Sequence, residues 1–158
     1  MIKILFSFFI LLFSFFFQIT VLPYLEVMGV RGDLLFVLVV YFSLKYGWKF
    51  GCFFGLCAGL LQDSFSVGKF GLGIATLGMA GLWGGSFSKT LFTDNLISKV
   101  VVFLVILGMH TILSFIILKI FSGVPLGFLK EISVPLLIYN FVLAIFVFMG
   151  LEKIYHAI

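Results

Sequence analysis

GWKFGCFFGLCAGLLQD, residues 47–63, carries glycine at every fourth position: Gly47, Gly51, Gly55 and Gly59, with the next step landing on Asp63. In an α-helix a step of four residues advances about 400°, so these positions form one stripe that winds by only about 40° per step. The stretch predicts a helix with one face stripped of side chains and ending in a carboxylate. Glycine costs a helix in water about 1 kcal/mol relative to alanine, so four in one stripe call for a compensating contact. In a membrane that contact is the close approach of a neighbouring helix backbone. The rest of the chain is read as arranged around this glycine rail.

Composition sets the same scene. The 158 residues are 63% hydrophobic and 10% charged, against about a quarter charged in soluble domains. The length allows one domain, residues 1–158. Cys52 and Cys57, five apart on the rail helix, point in different directions and read as small packing residues, not a bridge or a metal pair. The net charge of +4 is dispersed and gives no basic cluster for nucleic acid. It bears instead on membrane orientation.

The expected fold class is all-α: a polytopic membrane bundle of six transmembrane helices with approximate spans 4–25, 33–46, 47–62, 71–88, 100–118 and 134–151. The first span is too long for a signal-peptide core and no small-residue cleavage site follows it, so it is expected to be retained. On it Ser7, Ser14 and Gln18 share a face, expected to meet other helices while the phenylalanines meet lipid. The second apolar run is short of a full crossing, which calls for snorkelling, local thinning or a buried end. The fourth span has Gly71, Gly78 and Gly85 at heptad spacing with Gly81 alongside, so spans three and four are expected to pack as a close antiparallel hairpin. Gly68 and Gly71 mark the loop between them. Lys119 to Ser133 reads as the longest connection, with a turn at Gly123-Val124-Pro125; Ser133 is the expected N-cap of the last span, with Pro135 in its first turn.

Six crossings put both termini on one side, together with Lys3, Lys45, Lys49, Lys89, Lys99 and Lys153, while Asp94 and Glu152 are the acidic residues there. Arg31, Lys69, Lys119 and Lys130 fall on the other side. The excess of basic residues predicts cytoplasmic termini, and places Asp33, Gln62 and Asp63 at the outer face.

No nucleophile and base pair, metal cluster, phosphate loop or nucleophile elbow is present in the sequence, so no enzyme activity and no cofactor are expected. His110 and His156 do not complete a metal site with the two cysteines. His110, Gln18 and Asn140 are expected to make intramembrane polar contacts, with a neutral His110 bonded to a neighbouring helix; the sharper alternative for His110 is a proton relay. Asp33, Gln62 and Asp63 are candidate partner-binding residues, because a carboxylate at the membrane boundary can accept charge-assisted hydrogen bonds from an arginine or backbone N–H groups. For Asp63 a helix cap is the competing reading.

These residues resemble a known family. Gly32-Asp33-Leu34-Leu35 opens the second span, and Gly51, Gly55, Gly59, Leu60, Leu61, Gln62, Asp63 and Ser64 lead into a loop with Gly68 and Phe70-Gly71. The pattern is similar to that of the rod shape-determining protein MreD family, with specific motifs confined to residues 32–71 and hydropathy alike over the whole chain. One departure is Gly32, where the family often has proline. The resemblance implies a bacterial inner-membrane, multi-pass, non-enzymatic subunit of the cell-elongation machinery. Its implied partners are a bitopic MreC-like protein and, through it, MreB and the peptidoglycan glycosyltransferase and transpeptidase, in contact with membrane lipid and with no small-molecule substrate. The alternative is a substrate-binding S component of an energy-coupling-factor vitamin transporter, a family similar in size and in its six-helix layout. Against it, the first span is bulky where S components carry small residues, and polar groups for a vitamin pocket are few.

Overall fold

The computed structural model describes residues 2–27, 29–66, 70–90, 96–122 and 126–157. Among them lie six α-helices: α1 (Ile2–Thr20), α2 (Leu34–Tyr46), α3 (Trp48–Ser64), α4 (Leu72–Thr90), α5 (Leu96–Ser122) and α6 (Leu126–Ala157). A short 3-10 turn, Leu22–Leu25, follows α1. Gly68, Lys69, Asp94 and the Gly123-Val124-Pro125 turn lie outside the described residues.

The centre of the bundle is α2, not the glycine rail. Every residue from Leu34 to Leu44 is buried, and α2 touches α1, α3, α4, α5 and α6. Its sequence explains this, because LLFVLVVYFSL is apolar on all sides and such a helix belongs inside. Its length follows as well. At 1.5 Å per residue its 13 residues reach about 20 Å, too short for a lipid-facing crossing but sufficient for a helix wrapped in protein. Among the described residues three helices are long and apolar enough to cross a membrane, within Lys3–Thr20, Ile97–Phe121 and Val134–Tyr155.

All three carry outward apolar side chains, with Phe9, Phe13 and Phe16 on α1, Ile112, Ile116 and Ile120 on α5, and Ile138, Phe146 and Met149 on α6 exposed, and α3 adds Phe53, Leu56 and Leu60. Ser7 and Ser14 of α1 point inward and are buried. Inside, aromatic rings interlock edge to face around α2, with Phe42 on Phe54 at 5.2 Å and Phe103 on Phe148 at 5.5 Å between centroids.

The rail helix α3 runs against α4 with backbones in contact. A Cβ on Gly51 would overlap the Gly81 carbonyl oxygen, one on Gly55 the Leu77 carbonyl oxygen, and one on Gly59 the Gly73 carbonyl oxygen. Each step of four along α3 is thus met by a step of four backwards along α4. Gly85 continues the line, its Cβ position falling on the Trp48 backbone. Gly78 is looser, with only the Leu56 side-chain end at 2.9 Å. Gly47 and Gly71 do not belong to the stripe as expected. They precede α3 and α4 at φ +87° and +103°, with open space where a side chain would stand, so glycine is required there by backbone conformation.

The last two helices differ from expectation. There is no long connection from Lys119 to Ser133, because α5 continues to Ser122 and α6 begins at Leu126. Ser133 is therefore not an N-cap, and Pro135 sits inside α6. An apolar flank from Leu126 lets the helix start early, and a membrane-type bundle tolerates the backbone bond that an internal proline removes.

The helix ends that carry the termini meet. Ser7 Oγ and Tyr155 OH are 2.8 Å apart, Lys45 Nζ lies 3.5 Å above the Tyr155 ring, and Lys99 pairs with Glu152. Asp33, Gln62 and Asp63 sit at the opposite end of their helices.

Candidate functional site

The site grows out of a capping problem. The N-terminus of α2 is buried, and the first N–H groups of a helix have no partner within it. Side chains from two other helices and from the cap itself supply acceptors. The Asp33 N–H donates to Asn140 Oδ1 of α6 at 2.7 Å, the Leu35 N–H to Gln18 Oε1 of α1 at 3.0 Å, and the Phe36 N–H to Asp33 Oδ1 at 3.0 Å. Gln18 Nε2 and Gln62 Nε2 of α3 approach the two Asp33 oxygens only at 3.5 Å, the outer limit for such contacts.

Around this cap lies a polar cavity of about 300 Å³, lined by Gln18, Arg31, Gly32, Asp33, Gln62, Leu107, His110, Thr111, Ser114, Phe115, Leu136 and Asn140. Five residues singled out in the sequence, Gln18, Asp33, Gln62, His110 and Asn140, are brought to one wall from five different segments. A second cavity of about 340 Å³ adjoins it, sharing Gln18, Arg31, Gly32 and Gln62. Arg31 is exposed at the rim and turned to Glu26 at 3.0 Å.

Asp63 does not join them. Its carboxylate is buried, only 3% exposed, and it accepts three backbone N–H bonds from the start of α4: Gly71 to Oδ2 at 2.9 Å, Gly73 to Oδ1 at 2.8 Å and Ile74 to Oδ2 at 2.9 Å. This is a helix cap supplied from the neighbouring helix, with a negative charge at the positive end of α4. The expectation of a partner-facing Asp63 does not match that placement, because its oxygens are enclosed and already engaged.

His110 also departs from expectation. Its Nδ1 is buried with no hydrogen-bond partner among the described residues. The ring is held by stacking on Phe36, centroids 4.3 Å apart and planes 16° from parallel. Gln62 Oε1 is likewise buried and unpartnered.

Sequence reasoning missed Thr111, Ser114 and Phe115. The signal was the spacing Leu107, His110, Thr111, Ser114 and Phe115, which is one helix face. It also missed why Gly32 is glycine. A Cβ there would stand 2.5 Å from Tyr139 Cδ1 and closer still to Cε1, so the Tyr139 ring of α6 occupies the space that a proline ring would need. Among the described residues no group of three or more His, Cys, Asp or Glu is placed to hold a metal ion, and both cysteines are free.

The family model described as rod shape-determining protein MreD matches residues 1–158, the whole chain. It is the family that the motifs of residues 32–71 resemble, and not the vitamin-transporter S components. No curated protein matches the chain significantly, and neither does any solved structure.

Proposed function

We propose that this chain, which belongs to the MreD family of rod shape-determining proteins, acts as a non-enzymatic inner-membrane scaffold of the elongation machinery. It binds a bitopic MreC-like protein through the end of the bundle that carries Asp33. Through that protein it is linked to MreB and to the peptidoglycan glycosyltransferase and transpeptidase. Six crossings with cytoplasmic termini put Asp33 at the outer face, where the cell wall is made; the clustering of Lys3, Lys45 and Lys99 at the other end supports that orientation.

The observation that carries the reading is the contrast between the two aspartates. Asp63 is consumed inside the fold by three backbone N–H groups. Asp33 keeps one oxygen, Oδ2, whose hydrogen-bond partner among the described residues is a single amide at 3.5 Å, and it faces a cavity. A carboxylate left underbonded at a membrane boundary is costly to the isolated chain, and a partner's donors offset that cost.

The test is recovery of the partner. Asp33→Asn keeps an oxygen for the Phe36 N–H and removes the charge, so it should leave abundance in the membrane unchanged while the bitopic partner is lost from the purified complex. Asp63→Asn should do the reverse, lowering abundance while the surviving folded protein still recovers the partner. Full recovery with Asp33→Asn would overturn the reading.

A further inference from the structure

We infer that the cavity at the start of α2 is a receptor for one N–H-bearing cationic group, an alkylammonium or guanidinium, held by Asp33, Gln62 and His110. The inference rests on the cavity's chemistry and deepens the proposed docking role, but it does not require it.

Donors are present on the lining, in Arg31 at the exposed rim and in the amides of Gln18 and Asn140, but the buried atoms left without a partner are Gln62 Oε1 and His110 Nδ1, beside the Asp33 carboxylate. Asp33 Oδ1 is used by the Phe36 N–H, whereas among the described residues Oδ2 has only the distant Gln62 amide. Gln62 turns its nitrogen to Asp33, which avoids setting oxygen against carboxylate and leaves Oε1 buried without a donor. His110 Nδ1 is buried and unpartnered too, and a neutral imidazole offers a lone pair at one of its nitrogens. Thr111 spends its hydroxyl proton on the Leu107 carbonyl at 2.7 Å, so only its lone pairs remain. An anion or a carbonyl ligand would meet these acceptors with repulsion. A cation bearing several N–H groups satisfies them together and supplies the countercharge that Asp33 lacks. The nearest basic residue in sequence, Arg31, is engaged with Glu26. A volume of about 300 Å³ takes a guanidinium head with its alkyl stem and excludes a peptide.

The group can come from a partner's arginine or lysine, or from a free small amine, and the experiment separates the two. The full chain, purified in detergent, is titrated with n-butylguanidinium, and with tetramethylammonium, which has the charge but no N–H. The thermal midpoint should rise saturably with n-butylguanidinium, by roughly 3 °C at ten times Kd, and should not move with tetramethylammonium. Asp33→Asn should abolish the rise, as should His110→Phe, which keeps the stack on Phe36 and removes Nδ1. If n-butylguanidinium also displaces the bitopic partner from its complex, the natural cation is a partner side chain; if it binds and the partner stays, the natural ligand is a free amine. No saturable rise, an equal rise with tetramethylammonium, or a rise that survives both substitutions would overturn the inference. Because the titration uses the chain alone, its failure would leave partner recovery standing, and loss of partner binding would not touch the titration.

Discussion

Gly55→Ala is a one-carbon change whose sign the backbone decides. In an open helix it would stabilise by about 1 kcal/mol. Here the new Cβ would lie 2.9 Å from the Leu77 carbonyl carbon, 3.2 Å from Gly78 Cα and nearer still to the Leu77 oxygen, where ordinary contact begins at 3.4 Å. Those atoms are backbone and cannot rotate away, so α3 and α4 must separate by at least about half an ångström at that level. The flanking contacts of Gly51 with Gly81 and Gly59 with Gly73 open with it. Overpacking of this kind costs about 1–3 kcal/mol, and the loss of contact at two further levels places it in the upper half of that range. Subtracting the helix gain leaves about 1–2 kcal/mol of net destabilisation, and Gly55→Leu should cost more. Gly108→Ala in α5 is the control, because nothing lies within 4 Å of its Cβ position; it should be neutral or stabilising. Unfolding of the purified variants in mixed micelles, followed by circular dichroism, measures both. A Gly55→Ala protein as stable as wild type would mean that α3 and α4 do not pack on their backbones.

Asp63→Ala should cost about 2 kcal/mol or more by the same assay, since it strips the acceptor from three N–H groups where an ordinary cap substitution removes one; a loss below about 0.5 kcal/mol would contradict the cap. Gly32→Pro should destabilise while Tyr139 is present and be rescued by Tyr139→Ala, with a coupling of at least about 1 kcal/mol in the double-mutant cycle; additive effects would mean that the ring does not fill the proline's place. With Cys52 and Cys57 replaced, single cysteines at Lys3 and Lys153 should label from the cytoplasm and those at Tyr24 and Ser66 from outside. Labelling of Lys3 and Lys153 from opposite sides would remove the six-crossing arrangement.

The fold was legible wherever one segment's pattern determined its own environment. The four-residue glycine spacing of α3 and the small face of α4 predicted their apposition, and the polar stripe of α1 predicted which side faces inward. What could not be read was hierarchy among helices. The uniform hydrophobicity of Leu34 to Leu44 reads equally as a short membrane run or a buried core helix, and only the five helices packed round it decide for the core. The start of α6 was misread because Ser133 followed by Pro135 is a good N-terminal signal, yet the apolar residues from Leu126 continue the helix through it. At the site, each polar residue was visible singly: Gln18, Asp33, Gln62, His110 and Asn140 all stand out against apolar neighbours. Their meeting was not visible, because it depends on the relative rotation of four helices around the start of α2. Asp33 and Asp63 look equivalent in sequence, and only the distance from each carboxylate to backbone N–H groups separates an anchor from a group left open.

The proposed docking face for the partner is the Asp33 end of the bundle. A photoreactive phenylalanine analogue at Phe115, which lines the cavity, tests it in growing cells by irradiation and recovery of the tagged chain. A crosslinked product containing the bitopic MreC-like protein is expected, and it should be lost when Asp33→Asn is introduced at unchanged abundance. Crosslinks to lipid alone, or a partner crosslink of equal yield with Asp33→Asn, would contradict it.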